Sequence, residues 1–194
     1  MRQLIKEMIE TILLALLLFV LMEFSVQNFK VEGSSMKPTL AQDQYLLVNK
    51  IIYARVGLDD LAPFLPFVHA SQNGTERSMF AFHPPERGEV VIFHFPRDPT
   101  RDFVKRVIGV PGDTIEIRRG EVFRNGEYVE EPFITEPSTR SHDPVYVRDG
   151  HYYVLGDNRR SSNDSRDWGL VPEQNMIGRA WMRYWPLDSL GSID

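Results

Sequence analysis

Phe103-Val104-Lys105-Arg106-Val107-Ile108 is a run of aromatic and β-branched residues interrupted by two cations, and its reading decides the fold. Alternation of period two puts Phe103, Lys105 and Val107 on one face of a strand and Val104, Arg106 and Ile108 on the other. A lysine flanked by apolar neighbours on its own face has two readings: it snorkels from an edge strand to water, or it is a buried amine whose charged form is penalised by desolvation. The same texture recurs outward from this run. Tyr45 to Lys50, Glu89 to Phe95, Asp102 to Ile108, Thr114 to Ile117 and His151 to Leu155 are short stretches rich in Val, Ile, Tyr and Phe, bounded by Gly, Pro, Asn and Asp. Glu121-Val122-Phe123-Arg124 and Glu127-Tyr128-Val129-Glu130 flank Asn125-Gly126, a hairpin pattern, because Asn-Gly suits the positive φ angles of a type I′ turn. Helical periodicity is scarce beyond Gly33, so the expected class is mostly β.

The chain has 194 residues, 42% of them hydrophobic, and removing an N-terminal segment leaves about 165 residues, the size of one domain. Its formal charge of −5, from 22 basic and 27 acidic residues, argues against a generic nucleic-acid binder. Cysteine is absent, which excludes disulfide and thiolate chemistry but leaves the compartment open. The five histidines show no zinc-site spacing and Gly-x-Ser-x-Gly is missing, although a Ser-His-Asp triad assembled by folding stays open.

The N-terminus carries an unbroken eleven-residue apolar run from Ile12 to Met22, preceded by Arg2 and Lys6. No small-x-small site follows closely, so a retained signal-anchor is favoured over a cleaved secretory peptide. Glu10 and Glu23 are thirteen residues apart, about 20 Å of helix against roughly 30 Å of hydrocarbon. A span must therefore stretch over residues 8–28, with the glutamates near the interfaces. The basic bias places residues 1–7 in the cytoplasm and a domain over 29–194 across the membrane. Within that domain, residues 55–85 read as an inserted loop with four prolines and an apolar patch from Leu61 to Val68. It is either a lid or second membrane contact, or a loop packed on the core. Residues 116–150 leave room for a small β insertion.

Three stretches bear on chemistry. In Gly33-Ser34-Ser35-Met36-Lys37-Pro38-Thr39-Leu40, a serine sits among turn-forming residues and Pro38 bars Lys37 from continuing a helix. This is ordinary turn composition or the seat of a nucleophile. Lys105 would serve such a serine only if buried. At its ordinary pKa near 10.4, about one lysine in a thousand is neutral at pH 7.4, whereas desolvation can make the amine a usable base. The polar stretch from Gly156 to Pro172 is a solvated loop or a fixed network of carboxylates, guanidinia and hydroxyls that orients a base.

Taken in order, these motifs resemble the bacterial type I signal peptidases, Ser-Lys endopeptidases anchored in the membrane. The resemblance runs through the anchor, Ser35-Met36-x-Pro38-Thr39-Leu40, Arg87-Gly88-Glu89-Val90-Val91-Ile92-Phe93 and Lys105-Arg106-Val107-Ile108-Gly109-x-Pro111-Gly112-Asp113. It continues through Gly156-Asp157-Asn158-Arg159, Asp164-Ser165-Arg166 and Gly178-Arg179-Ala180-Trp181. It implies a membrane-anchor helix followed by a sheet or barrel-like catalytic domain, with Ser35 as nucleophile and Lys105 as general base. It also implies that Ser162 orients the lysine amine and that Asp164 and Arg166 form a supporting ion pair. Val31, Met36, Leu40, Phe103 and Val104 would line small pockets for the side chains at −1 and −3 of the substrate. The backbone N–H of Ser35 would serve the oxyanion, while Gly33 stands where many members carry a serine, leaving the second donor unassigned.

The same resemblance implies an acyl-enzyme without any cofactor. The implied partners are signal-peptide-bearing preproteins delivered by the secretion machinery and membrane lipids. The implied location is the bacterial plasma membrane, crossed once, with the catalytic domain on its outer face. Two other classes stay beside it: an inactive membrane-tethered β module that binds exported chains, and a self-cleaving Ser-Lys protein.

Overall fold

The computed structural model describes residues 2–57, 78–80 and 82–193. Most of the inserted loop over 55–85, including its apolar patch, lies outside the described residues.

An eight-stranded sheet carries the domain. Its order is β1 (Val26–Lys30), β2 (Tyr45–Asn49), β13 (Met176–Trp185), β5 (Val90–Phe95), β6 (Asp98–Gly109), β11 (His151–Leu155) and β12 (Val171–Pro172), with β14 (Gly191–Ser192) paired to β13. All the pairings are antiparallel. β5 is central because its residues are buried on both faces except at His94, the expected texture for a run as apolar as Val-Val-Ile-Phe. In its register with β6, Val91 lies opposite Lys105 and Val90 opposite Arg106. β2 alternates buried and half-buried residues, and β1 closes that side as an edge.

A second sheet, ordered β10 (His142–Tyr146), β7 (Thr114–Arg118), β8 (Glu121–Arg124) and β9 (Glu127–Tyr128), occupies residues 114–146. Its hairpin turns at Asn125 and Gly126, with φ of 55° and 88°, the left-handed pair that a type I′ turn requires. Ile115, Ile117 and Val122 bury their side chains against Tyr153 and Leu155 of β11, which docks this sheet on the main one. A short strand pair, β3 (Arg55–Gly57) with β4 (Ser78–Phe80), forms a separate two-stranded sheet whose Phe80 packs edge-on against Tyr53 of the core. One turn of helix, α2 (Ser165–Trp168), follows β11.

The mostly β class is observed, but the membrane-spanning anchor is overturned. Among the described residues no helix is long and apolar enough to cross a membrane. The N-terminal helix α1 (Arg2–Ser25) has the length, since 24 residues rise about 36 Å. It lacks the apolarity: Lys6, Glu7 and Glu10 occupy its first half, and the eleven-residue apolar run that follows rises only about 16 Å against roughly 30 Å of hydrocarbon. Lys6 and Glu10 pair with each other at 3.6 Å rather than flanking a continuous apolar surface. The single-pass plasma-membrane location with an outer catalytic domain falls with the same finding. The helix also ends before residue 28, at Ser25, where the chain turns directly into β1.

Candidate active site

The turn after β1 holds Ser35. Val31 is tied to the loop before β2 by Val31 N–H donating to Gln44 O at 2.8 Å and Asp43 N–H donating to Val31 O at 2.9 Å. Gly33 then takes φ of 83°, a left-handed conformation that an L side chain resists, so the chain can swing back on itself. Met36 and Leu40 are buried and linked by a 2.8 Å bond from Leu40 N–H to Met36 O, which holds the turn against the core. On the far side, Asn158 N–H donates to Ser35 O at 3.0 Å. Ser35 is therefore anchored both from the sheet and from the polar loop after β11.

Lys105 reaches this serine from β6. Its Nζ lies 2.8 Å from Ser35 Oγ and donates to Val104 O at 2.8 Å. The residue is only 4% exposed, and burial lowers its pKa to about 8 from the ordinary 10.5, while the more distant carboxylates of Asp164 and Asp157 oppose that shift. A substantial fraction of the amine is neutral at mildly alkaline pH, which an exposed lysine would not provide.

The polar loop is a fixed network. Asp164, fully buried, accepts from Arg166 Nε at 2.7 Å and Nη2 at 2.9 Å, and also from Gly156 N–H at 3.0 Å. It also caps α2 in a capping box with Asp167. Arg166 donates to Arg159 O at 2.9 Å and to Ser162 O at 3.4 Å, so the Asp164–Arg166 pair braces the loop that carries Ser162. Ser162 Oγ itself is buried without a hydrogen-bond partner among the described residues. A Cβ on Gly156 would run into Ser162 Oγ and the Ser35 carbonyl, so only glycine lets these two segments approach.

Ser35, Lys105, Val31, Phe103 and Val104 share one groove of about 530 Å³ between the β1 edge and β6. Met36 and Leu40 lie beneath it, buried in the cluster with Val31, Leu46 and Ile92, and are not among its lining residues. Phe29, Leu46 and Ile92 also line the groove; Leu46 and Ile92 fall in stretches that read as strands, whereas no sequence signal marks Phe29. A second constellation lay outside sequence reasoning altogether. Arg106 donates to Asp157 Oδ1 at 3.0 Å and Oδ2 at 2.8 Å, and Thr39 Oγ1 donates to Asp157 Oδ2 at 2.5 Å. This knot joins β6, the polar loop and the serine turn beneath the groove.

Among the described residues no group of three His, Asp or Glu side chains is arranged to hold a metal ion. His94 Nδ1 pairs with Asp102 at 2.7 Å, while Ser35 is engaged by Lys105 instead.

The family model described as signal peptidase, peptidase S26, matches residues 5–185. Among curated proteins the chain is 36% identical to probable signal peptidase I-1 of Synechocystis sp., over 98% of this chain and 88% of that protein. It is 34% identical to signal peptidase I of Leptolyngbya laminosa, over 91% and 79% of the two chains. To signal peptidase IB of Staphylococcus aureus it is 30% identical, over 95% and 91%.

Proposed function

The chain belongs to the signal peptidase family, peptidase S26, serine endopeptidases that remove signal peptides from exported preproteins, and from that premise we propose that Ser35 and Lys105 are its catalytic pair. The observation that carries this reading is the 2.8 Å approach of a buried, pKa-lowered amine to the serine hydroxyl. Neutral Lys105 takes the proton as Ser35 Oγ attacks the carbonyl after the −1 residue, then passes it to the leaving amine. The resulting ester is hydrolysed by a water that Lys105 activates in the same way. Ser35 N–H supplies one donor to the oxyanion. The preprotein lies extended in the groove, adding its backbone beside β1 and β6, with its small −1 and −3 side chains against Val31, Phe103 and Val104. Ser162 orients the amine as its proton moves, and the Asp164–Arg166 pair holds Ser162 in place.

Cleavage of a preprotein with an Ala-x-Ala site tests the pair. Wild type cuts it, and Ser35→Ala and Lys105→Ala each lose about 10³-fold or more in kcat with their folds intact by circular dichroism. Comparable cleavage by folded Lys105→Ala would remove the lysine from the mechanism. Lipid is the further partner proposed here: Leu13, Leu16 and Phe19 of α1 are each more than half exposed and offer apolar side chains to a membrane surface. Flotation with phosphatidylglycerol vesicles, lost when these three become serine, is the expected result.

A further inference from the structure

The groove continues past the pockets for −1 and −3. All five β6 residues from Arg101 to Lys105 line it, and Lys105, Phe103 and Arg101 share one face of the strand. The three form a file: Lys105 Nζ lies 5.2 Å from the Phe103 ring centroid and the Arg101 guanidinium carbon 5.3 Å from the same centroid. Phe103 is itself fixed by stacking on Phe95 at 4.6 Å. Arg101 thus stands at the end of the groove away from Ser35, about 13 Å along the strand from Lys105 at roughly 3.3 Å per residue.

The charges around it are already engaged elsewhere. Lys30 pairs with Asp43 at 2.7 Å and Asp102 with His94 at 2.7 Å, and Asp98 accepts from Thr100 Oγ1 at 2.6 Å, a bond that, with a smaller contribution from the Arg101 charge, holds its carboxyl below the usual range. Glu32 also lines the groove, but follows β1 close to the serine turn. Arg101 is exposed and forms no ion pair among the described residues. An extended substrate advances at the same rise per residue as β6. With its −1 residue at Lys105, its −3 residue meets Phe103 and its −5 residue meets Arg101.

We propose that Arg101 determines specificity at the −5 position, where it favours an acidic side chain and disfavours a basic one. This rests on the peptidase reading above and adds a selection outside the small-x-small rule. The selection is electrostatic and water-exposed, so it is modest in size and falls with salt.

The test uses the full chain and three otherwise identical Ala-x-Ala peptides carrying Glu, Gln or Lys at −5. Wild type at low salt has a kcat/KM about threefold higher for the Glu peptide than for the Lys peptide, with Gln between. The ratio moves towards one at 0.5 M NaCl and in Arg101→Ala, survives in Arg101→Lys, and inverts in Arg101→Glu. A purely packing role for Arg101 on Phe103 would change all three peptides alike and leave the ratio untouched. Equal cleavage of the three peptides by wild type, or an unchanged ratio in Arg101→Glu, overturns the inference while leaving the peptidase reading standing. Failure of wild type to cut any of them overturns both.

Discussion

Lys105 and Arg106 are consecutive residues of β6, are 4% and 3% exposed, and face opposite sides of the sheet. Their surroundings differ in one respect. Arg106 meets the two oxygens of Asp157, donates to Gly88 O at 2.7 Å and packs 4.1 Å from the centroid of the Phe133 ring. Lys105 touches a hydroxyl, a carbonyl and an aromatic ring, and the carboxylates of Asp164 and Asp157 act on it only from a distance. At equal burial the presence of a contacting carboxylate separates the roles. A bidentate partner makes one cation a fixed structural tie, whereas the lack of one leaves the other able to release its proton.

Breaking the Arg106 side carries the largest cost. Asp157→Asn leaves a buried guanidinium without its counter-charge and lowers stability by about 3–5 kcal/mol, read from urea unfolding. The double variant Arg106→Met, Asp157→Leu removes both charges and costs less than the single change. If the single variant is as stable as wild type, the tie is not structural.

The Lys105 side behaves in the opposite sense. Its folded pKa of about 8 lies below the ordinary 10.5, so the unfolded chain holds the proton more tightly. The folded state is then penalised in full below pH 8, and the penalty fades as pH rises towards 10.5. Lys105→Met therefore abolishes cleavage yet raises stability at pH 7 by up to about 3 kcal/mol. The gain over wild type shrinks between pH 8 and 10.5. Equal stabilities at pH 7 would mean that the amine is not desolvated.

The smallest effect sharpens the comparison at its border. Ser162→Ala removes a buried hydroxyl that has no partner among the described residues, so it raises stability by about 1 kcal/mol while slowing kcat about tenfold. A residue that merely supports the fold would lower both.

Much of the sheet was legible because local chemistry and fold agree. The alternation in Phe103 to Ile108, the apolar run of β5 and the Asn125-Gly126 turn each carry their own conformational reason. β13 was harder: its ten residues include Gly178, Arg179 and Arg183, and bulges shift its register against both β2 and β5, so no period survives. β1 was hidden by its position directly after a helix, with a sequence, Val-Gln-Asn-Phe-Lys, whose first three residues the span drawn over 8–28 absorbed. The apolar run itself misled: its shortfall against the bilayer was visible in the sequence, but stretching the span over residues 8–28 to cover it takes in Glu10 and Glu23, which an apolar span does not tolerate.

At the site, Ser35 and Lys105 were legible as residue types with a chemical reason to meet, although 70 residues separate them. The Arg106–Asp157 tie was not, because nothing local distinguishes an arginine on the far face of a strand from one in water. Only the pairing of β11 with β6, which puts Leu155 opposite Arg106, brings Asp157 within reach of that guanidinium.

The central claim, that a buried neutral Lys105 activates Ser35, is tested most directly by titrating that amine. Lysine labelled with ¹³C at Cε and assigned through Lys105→Met gives its pKa, for comparison with the pH dependence of kcat/KM on a neutral Ala-x-Ala peptide. The account predicts that both inflect at about 8. A Lys105 that titrates at its ordinary 10.5, with activity rising instead near 6.5 as a histidine loses its proton, would contradict it.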